Sequence, residues 1–234
     1  MLPPAMLCAR FLLVGVTLLT GAGCGGGDPP TDGESQPPLV GTLGDSITAG
    51  APRWSPNPEV RKLARGRATP ESQWQYGAER ALDGGLRFRN CGVEGDRTDE
   101  IELRLEACAA GAQILVVQGG TNDIVQGHPP VSAAGNIREM LRRARDAGLL
   151  VLVTTVPPIN ARHPRWAPEV RRLNNLIHAL AREEDVSVID FFKPLEDPGR
   201  PGRMRADLTA DGVHPTVEGY LRIGRVAARK LRER

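Results

Sequence analysis

Ile114-Leu115-Val116-Val117, followed at once by Gln118-Gly119-Gly120-Thr121-Asn122-Asp123, is the stretch that decides how this chain folds. Four apolar side chains in succession leave no polar face. Such a run suits a strand buried on both sides, the usual state of a strand in a parallel sheet covered by helices. The glycines that follow mark a turn at the carboxyl end of that strand. Outward along the chain the pattern repeats. Residues 131–147 have helical spacing and stop at Gly148; Leu149-Leu150-Val151-Leu152-Val153 is another apolar run. Residues 168–184 read as a helix and Val186-Ser187-Val188-Ile189 as a further strand. Pro215 opens a last helix that runs to about residue 230.

Toward the amino terminus, Leu39-Val40-Gly41-Thr42-Leu43 is a first strand ending at Gly44. Residues 51–69, with Pro52, Pro56 and Pro58, read as an irregular excursion. Residues 71–82 are helical up to Asp83-Gly84-Gly85, and 86–90 alternate as a strand does. Residues 98–108 read as one charged helix carrying Ile101, Leu103 and Leu105. Strands alternating with helices predict a three-layer α/β/α domain with a central parallel sheet. Ligands in such sheets bind beyond the carboxyl ends of the strands.

The bulk numbers are those of a globular protein. Of 234 residues 40% are hydrophobic and 25% charged, with 30 basic and 28 acidic side chains giving a net charge of +2. That balance points to no polyanion, so no nucleic-acid partner is expected. The length suits one sizeable core, and a monomer is expected. No close His/His or Cys-x-x-Cys spacing occurs, so neither a metal nor another cofactor is expected.

Four polar clusters carry the chemistry, three of them directly after strands. They are Gly44-Asp45-Ser46-Ile47-Thr48, Gly92-Val93-Glu94-Gly95-Asp96, Gly119-Gly120-Thr121-Asn122-Asp123 and, near the end, Asp211-Gly212-Val213-His214-Pro215. A serine hydroxyl is a poor nucleophile until a base takes its proton. His214 is the histidine with a carboxylate, Asp211, at helical spacing and a proline opening a helix behind it. Asp211 can fix the tautomer of the imidazole and stabilise its protonated form. A tetrahedral oxyanion needs fixed donors, for which Ser46 N–H, Gly95 N–H and the Asn122 amide are candidates. Asp45 and Asp96 read as hydrogen-bonding supports rather than catalysts. His128, His163 and His178 read as structural or solvated, while Trp54 and Trp166 are candidates to line a pocket.

In this order the four clusters resemble the blocks of the SGNH, or GDSL-type, hydrolases. G-D-S-I-T at 44–48 is similar to the first block and G-V-E-G-D at 92–96 to the second. G-G-T-N-D at 119–123 is similar to the third and D-G-V-H-P at 211–215 to the fifth. The resemblance spans residues 40–230 and implies a flavodoxin-like sheet. It also implies Ser46 as nucleophile, Asp211 and His214 as the rest of a triad, and Ser46, Gly95 and Asn122 as oxyanion donors. The sequence departs from the family pattern at Arg97, where a small polar residue is common, and in the long connection 51–69.

The implied activity is hydrolysis of carboxylic esters through an acyl-enzyme on Ser46, with acyl, aryl, thioester or lysophospholipid substrates in range. The same triad also serves O-acyl transfer and carbohydrate deacetylation. A surface binding module with a relic site is a third reading, against which the presence of all five residues counts.

Arg10, the apolar run 11–20 and the small residues Gly21-Ala22-Gly23 before Cys24 form a secretory signal too short to span a bilayer. The segment resembles a bacterial lipoprotein signal, implying removal of residues 1–23 and acylation of Cys24, with palmitate as one of the chains. The Gly- and Pro-rich residues 24–38 read as a flexible tether before a hydrolase domain at 39–234. The expected location is the bacterial cell envelope, held to a membrane through Cys24; a periplasmic or secreted protein is the alternative. Cys91 and Cys108 are expected to stay reduced. One continuous helix over 98–108 would carry the second cysteine ~15 Å along its axis, beyond the ~7 Å limit for a disulfide.

Overall fold

The computed structural model describes residues 36–50, 70–160, 166–209 and 211–234. Five strands, β1 (Leu39–Gly44), β2 (Arg87–Gly92), β3 (Ile114–Val117), β4 (Leu150–Thr154) and β5 (Ser187–Ile189), pair in the order β2-β1-β3-β4-β5. Every pair is parallel, with Val40 opposite Ile114 and Leu43 opposite both Cys91 and Val117. This is the flavodoxin-like order, in which the winding reverses between β1 and β3 and opens a crevice at their carboxyl ends.

Alternation along each strand feeds two cores. Leu115, Val117, Val151 and Val153 pack on one side with α3 (Thr98–Glu102), α4 (Leu105–Ala109), α5 (Thr121–Val125), α6 (Pro130–Asp146) and α7 (Trp166–Glu183). Ile114, Val116 and Leu152 pack on the other with α1 (Ser46–Ala49), α2 (Trp74–Ala81) and α8 (Val217–Arg232). The helices present matching stripes: Ala133, Ile137, Met140 and Ala144 on α6, and Tyr220, Ile223, Ala227 and Leu231 on α8. Each large apolar side chain buried this way contributes roughly 1.5–3 kcal/mol. That gain, rather than strand propensity, holds a strand as short as β3. The last helix begins slightly later than its proline suggests, because Thr216 is its N-cap and accepts the Gly219 N–H.

Residues 98–108 are not one helix. α3 ends at Glu102, α4 starts at Leu105, and Leu103 is 81% exposed between them. The expectation of reduced thiols fails with it: Cys91 and Cys108 form a disulfide, their Cα atoms 6.0 Å apart. A continuous helix over 98–108 would make the whole return across the sheet by itself. In the structure α4 ends over the middle of β1, so close that a Cβ on Gly41 would lie 2.7 Å from the Cys108 carbonyl oxygen. The loop before Ile114 completes the return. Gly41 pairs with Arg89, two residues before Cys91, so Cys108 rests one pleat back from its partner. Arg89 secures this end of α4 through its Nη1, which donates to the carbonyls of Cys108 and Ala110.

The signal segment, Cys24, most of the tether, residues 51–69 with Trp54, and His163 lie outside the described residues. The last two residues of the expected tether are bound to the sheet, Pro38 O accepting Arg87 N–H at 3.0 Å and Pro37 O accepting Arg87 Nε at 3.1 Å. No helix among the described residues is long and apolar enough to cross a membrane.

Candidate active site

The site is assembled at the carboxyl edge of the sheet. Past β1, Asp45 caps α1, its side chain accepting the Ile47 N–H at 2.8 Å, and Ser46 becomes the first helical residue. The first N–H groups of a helix have no intrahelical partner, which leaves that of Ser46 for a ligand. Gly44 is needed for space rather than for an unusual turn. A Cβ there would lie 2.3 Å from Thr48 Oγ1 and 2.6 Å from Gln118 Oε1. Gln118 escaped the sequence reading although it directly follows the β3 run. Its Oε1 accepts from Asp45 N–H at 3.2 Å and from Thr48 Oγ1 at 2.8 Å, tying β3 to the serine turn.

Ser46 Oγ lies 2.8 Å from His214 Nε2, and His214 Nδ1 lies 2.7 Å from Asp211 Oδ2. Both Ser46 and His214 are 2% exposed. The other oxygen of Asp211 accepts the backbone N–H groups of Val213 and His214, at 2.8 and 2.7 Å. Partial burial pushes the Asp211 carboxyl upward. The hydrogen bond and charge of His214, with those two N–H groups, outweigh it and hold the group below the ordinary carboxylate range. The loop is braced from outside as well. Thr209 Oγ1 donates to His214 O at 2.9 Å, and Asn160 N–H donates to Gly212 O at 2.6 Å.

The second and third clusters follow β2 and β3, the two strands that flank β1. Gly95 takes a φ of 89° in the turn after β2, a conformation that suits glycine. Its carbonyl accepts Gln126 Nε2 at 3.4 Å. Asn122, in the first turn of α5, donates one amide hydrogen to Asp96 O at 2.9 Å, which leaves the second. The neighbouring Asp123, with no local pattern to mark it, clamps α3 by accepting Thr98 N–H at 3.0 Å and Thr98 Oγ1 at 2.7 Å. Arg97, the departure in the second block, reaches Gln126 Oε1 at 3.1 Å and Asp99 at 3.0 Å. The five residues singled out in the sequence therefore lie on two loops and the first turns of two helices at the carboxyl edge of the sheet.

Beyond Gln126 a cavity of about 580 Å³ opens between the end of α5 and the start of α7. Trp166, His128, Glu169 and Arg172 line it with Val125 and Gln126. His178, by contrast, is exposed on α7. Among the described residues no cluster of His, Cys, Asp and Glu could hold a metal ion.

A doubly covered parallel sheet with a hydroxyl, an imidazole and a carboxylate in hydrogen-bonded series at its carboxyl edge is the arrangement of a hydrolase acting on esters. Residues 42–222 match the model of the GDSL-like lipase/acylhydrolase family, and the chain belongs to that family. It is 28% identical over 149 residues to esterase TesA of Pseudomonas aeruginosa, covering 62% of this chain and 70% of that one. Its fold is similar to that of the M. smegmatis aryl esterase in inhibitor-bound form. There the TM-score is 0.66 at 19% identity, over 84% of this chain and 99% of the other. A carbohydrate acetylesterase family member from Sinorhizobium meliloti gives a TM-score of 0.65 at 20% identity, over 84% and 98%.

Proposed function

We propose that the protein is a serine esterase working through an acyl-enzyme on Ser46. The observation that carries this is the unbroken series Ser46 Oγ–His214 Nε2–His214 Nδ1–Asp211 Oδ2, at 2.8 and 2.7 Å. Ser46 Oγ attacks the ester carbonyl while His214 Nε2 takes its proton, and Asp211 stabilises the imidazolium. The carbonyl oxygen, now negative, is received by Ser46 N–H, Gly95 N–H and the remaining Asn122 amide hydrogen. Collapse of the adduct breaks the bond to the alkoxy oxygen, to which His214 returns the proton. Water repeats the sequence and frees the acid.

The cavity beyond Gln126 favours a compact, polar alcohol portion such as an acetylated sugar. Trp166 offers one aromatic face, and His128, Glu169, Arg172 and Gln126 offer hydrogen-bonding groups for hydroxyls. Ile124, Val125, Pro129 and Pro130 supply apolar walls beside those groups, wide enough for an acetyl or aryl portion. We also propose that the domain is exported and anchored through an acylated Cys24, the reading that its signal segment supports.

A fluorophosphonate tests the chemistry. It is expected to label Ser46, and Ser46→Ala is expected to lose both labelling and esterase activity with its thermal unfolding unchanged. Labelling at another serine would sink the assignment. Acetylated xylan set against p-nitrophenyl esters of rising chain length tests the substrate, and higher kcat/KM on long acyl chains would overturn the sugar reading. Transfer of acetyl to an added sugar in place of water would identify an acyltransferase. Loss of palmitate incorporation in Cys24→Ser tests the anchor.

A further inference from the structure

Arg104 lies in the break between α3 and α4, and its guanidinium reaches three separate pieces of the site's frame. Nη1 donates to Cys91 O, near the end of β2. Nη2 donates to Gly44 O, the end of β1, at 3.1 Å. Nη2 and Nε both donate to Asp96 Oδ2, at 2.7 and 3.2 Å. The pair is largely screened from water, with side-chain exposures of 26% for Arg104 and 20% for Asp96. Asp96 has a second partner: its backbone carbonyl is the group that Asn122 Nδ2 donates to. It also directly follows Gly95. One guanidinium is thus joined to the strand end that presents Ser46 and to the residue that links Gly95 with Asn122.

We propose that Arg104 is a positioning residue for the oxyanion side of the site, acting through Asp96 on Gly95 and Asn122. The inference rests on the reading of those groups as oxyanion donors given above. Asp96 needs such a hold because its turn is short and exposed at Gly95. Two guanidinium N–H groups converge on the one carboxylate oxygen while Nη1 and Nη2 hold the two carbonyls, so the side chain is fixed in direction as well as distance. A lysine carries the charge but cannot reproduce a fork directed at two carbonyls and a carboxylate. Displacing a donor by about an ångström is enough to cost ~10²-fold in rate.

Steady-state kinetics on p-nitrophenyl acetate test this with Arg104→Lys, Arg104→Ala and Asp96→Asn, each normalised to the folded fraction from near-UV circular dichroism. The expected result is a 10- to 100-fold fall in kcat with KM changed less than about threefold. Affinity for a trifluoromethyl ketone should fall in parallel with kcat, since that adduct carries the oxyanion. Millimolar guanidinium, but not sodium chloride at equal ionic strength, should partly restore Arg104→Ala. Full kcat per folded molecule, or a rise in KM alone, would overturn the proposal. Asp96→Asn keeps it testable if both Arg104 variants fail to fold. Ser46→Ala in the same assay separates the two levels. Activity surviving there defeats the esterase mechanism, whereas an inactive Ser46→Ala beside fully active Arg104 variants defeats only the role of Arg104.

Discussion

Asp211 holds His214 from two directions, one carboxylate oxygen on the ring Nδ1 and the other on the backbone N–H of the same residue, both at 2.7 Å. Orientation and tautomer are therefore set by a single side chain. Asp211→Asn keeps an acceptor for the backbone but can present its amide N–H to Nδ1, which inverts the tautomer. The expected consequence is a fall in kcat of ~10²–10⁴ with KM little altered. The stability consequence has a definite sign. Because the folded carboxyl sits below its ordinary value of 3.8, its contribution is present above that value and is lost as pH falls through the folded pKa. Urea unfolding should show wild type more stable than Asp211→Asn at pH 7, with the gap closing towards pH 2. A gap that widens on acidification would contradict the assignment.

Asn122 donates one hydrogen to Asp96 O and has another to give. If that second hydrogen meets the oxyanion, Asn122→Ala should lower kcat by ~10²–10³ with a smaller effect on KM. Steady-state kinetics on a minimal acetyl ester decide the point. A change in KM alone would make Asn122 a contact to the substrate's ground state.

Asp45 carries the opposite electrostatics to Asp211. Its Oδ1 accepts Ile47 N–H, but Oδ2 is buried without a hydrogen-bond partner among the described residues. Burial pushes the carboxyl from 3.8 up to about 6. A raised acid pKa stabilises the fold at low pH and withdraws that stability as pH rises through about 6. At 1.36 kcal/mol per unit, charging this group costs at most about 3 kcal/mol. Asp45→Asn retains the cap acceptor and removes the charge. It should match wild type at pH 4 and exceed it by up to about 3 kcal/mol at pH 8. Parallel stability curves over that range would show that Asp45 is ionised in the folded state throughout, against the raised pKa.

The sheet and the juxtaposition of Ser46, His214 and Asp211 were legible in the sequence, for physical reasons. Strands such as Ile114–Val117 are buried on both faces and so print as unbroken apolar runs. The residues proposed to react sit in or beside Gly-rich turns between elements, where composition changes abruptly. Arg104 and Gln118 were invisible by the same logic. Arg104 is bonded to groups 13 and 60 positions away and Gln118 to groups 70 and 73 away, and no local pattern encodes such partners. The break at Leu103 was hidden too. Ile101, Leu105 and Cys108 are buried at helical spacing, and no Gly or Pro interrupts them. Only the packing of α4 onto Gly41 shows where the chain turns.

The Cys91–Cys108 bridge follows from that turn and can be tested apart from activity. It ties the carboxyl end of β2, just before the Gly92–Asp96 cluster, to α4, and the two residues are 17 apart in sequence. Closing a loop of that size removes enough freedom from the unfolded chain to stabilise the fold by ~3 kcal/mol. Denaturing alkylation of residues 36–234 without reductant is expected to add no alkyl groups, and two after reduction. Cys91→Ala/Cys108→Ala should unfold at lower urea, by an amount equivalent to ~2–4 kcal/mol. Cys91 O also accepts from Arg104, so slack at this corner should reach the site before the fold is lost. In dithiothreitol, kcat on p-nitrophenyl acetate should therefore fall while the circular dichroism spectrum persists. Two alkyl groups added without reductant would return both residues to free thiols.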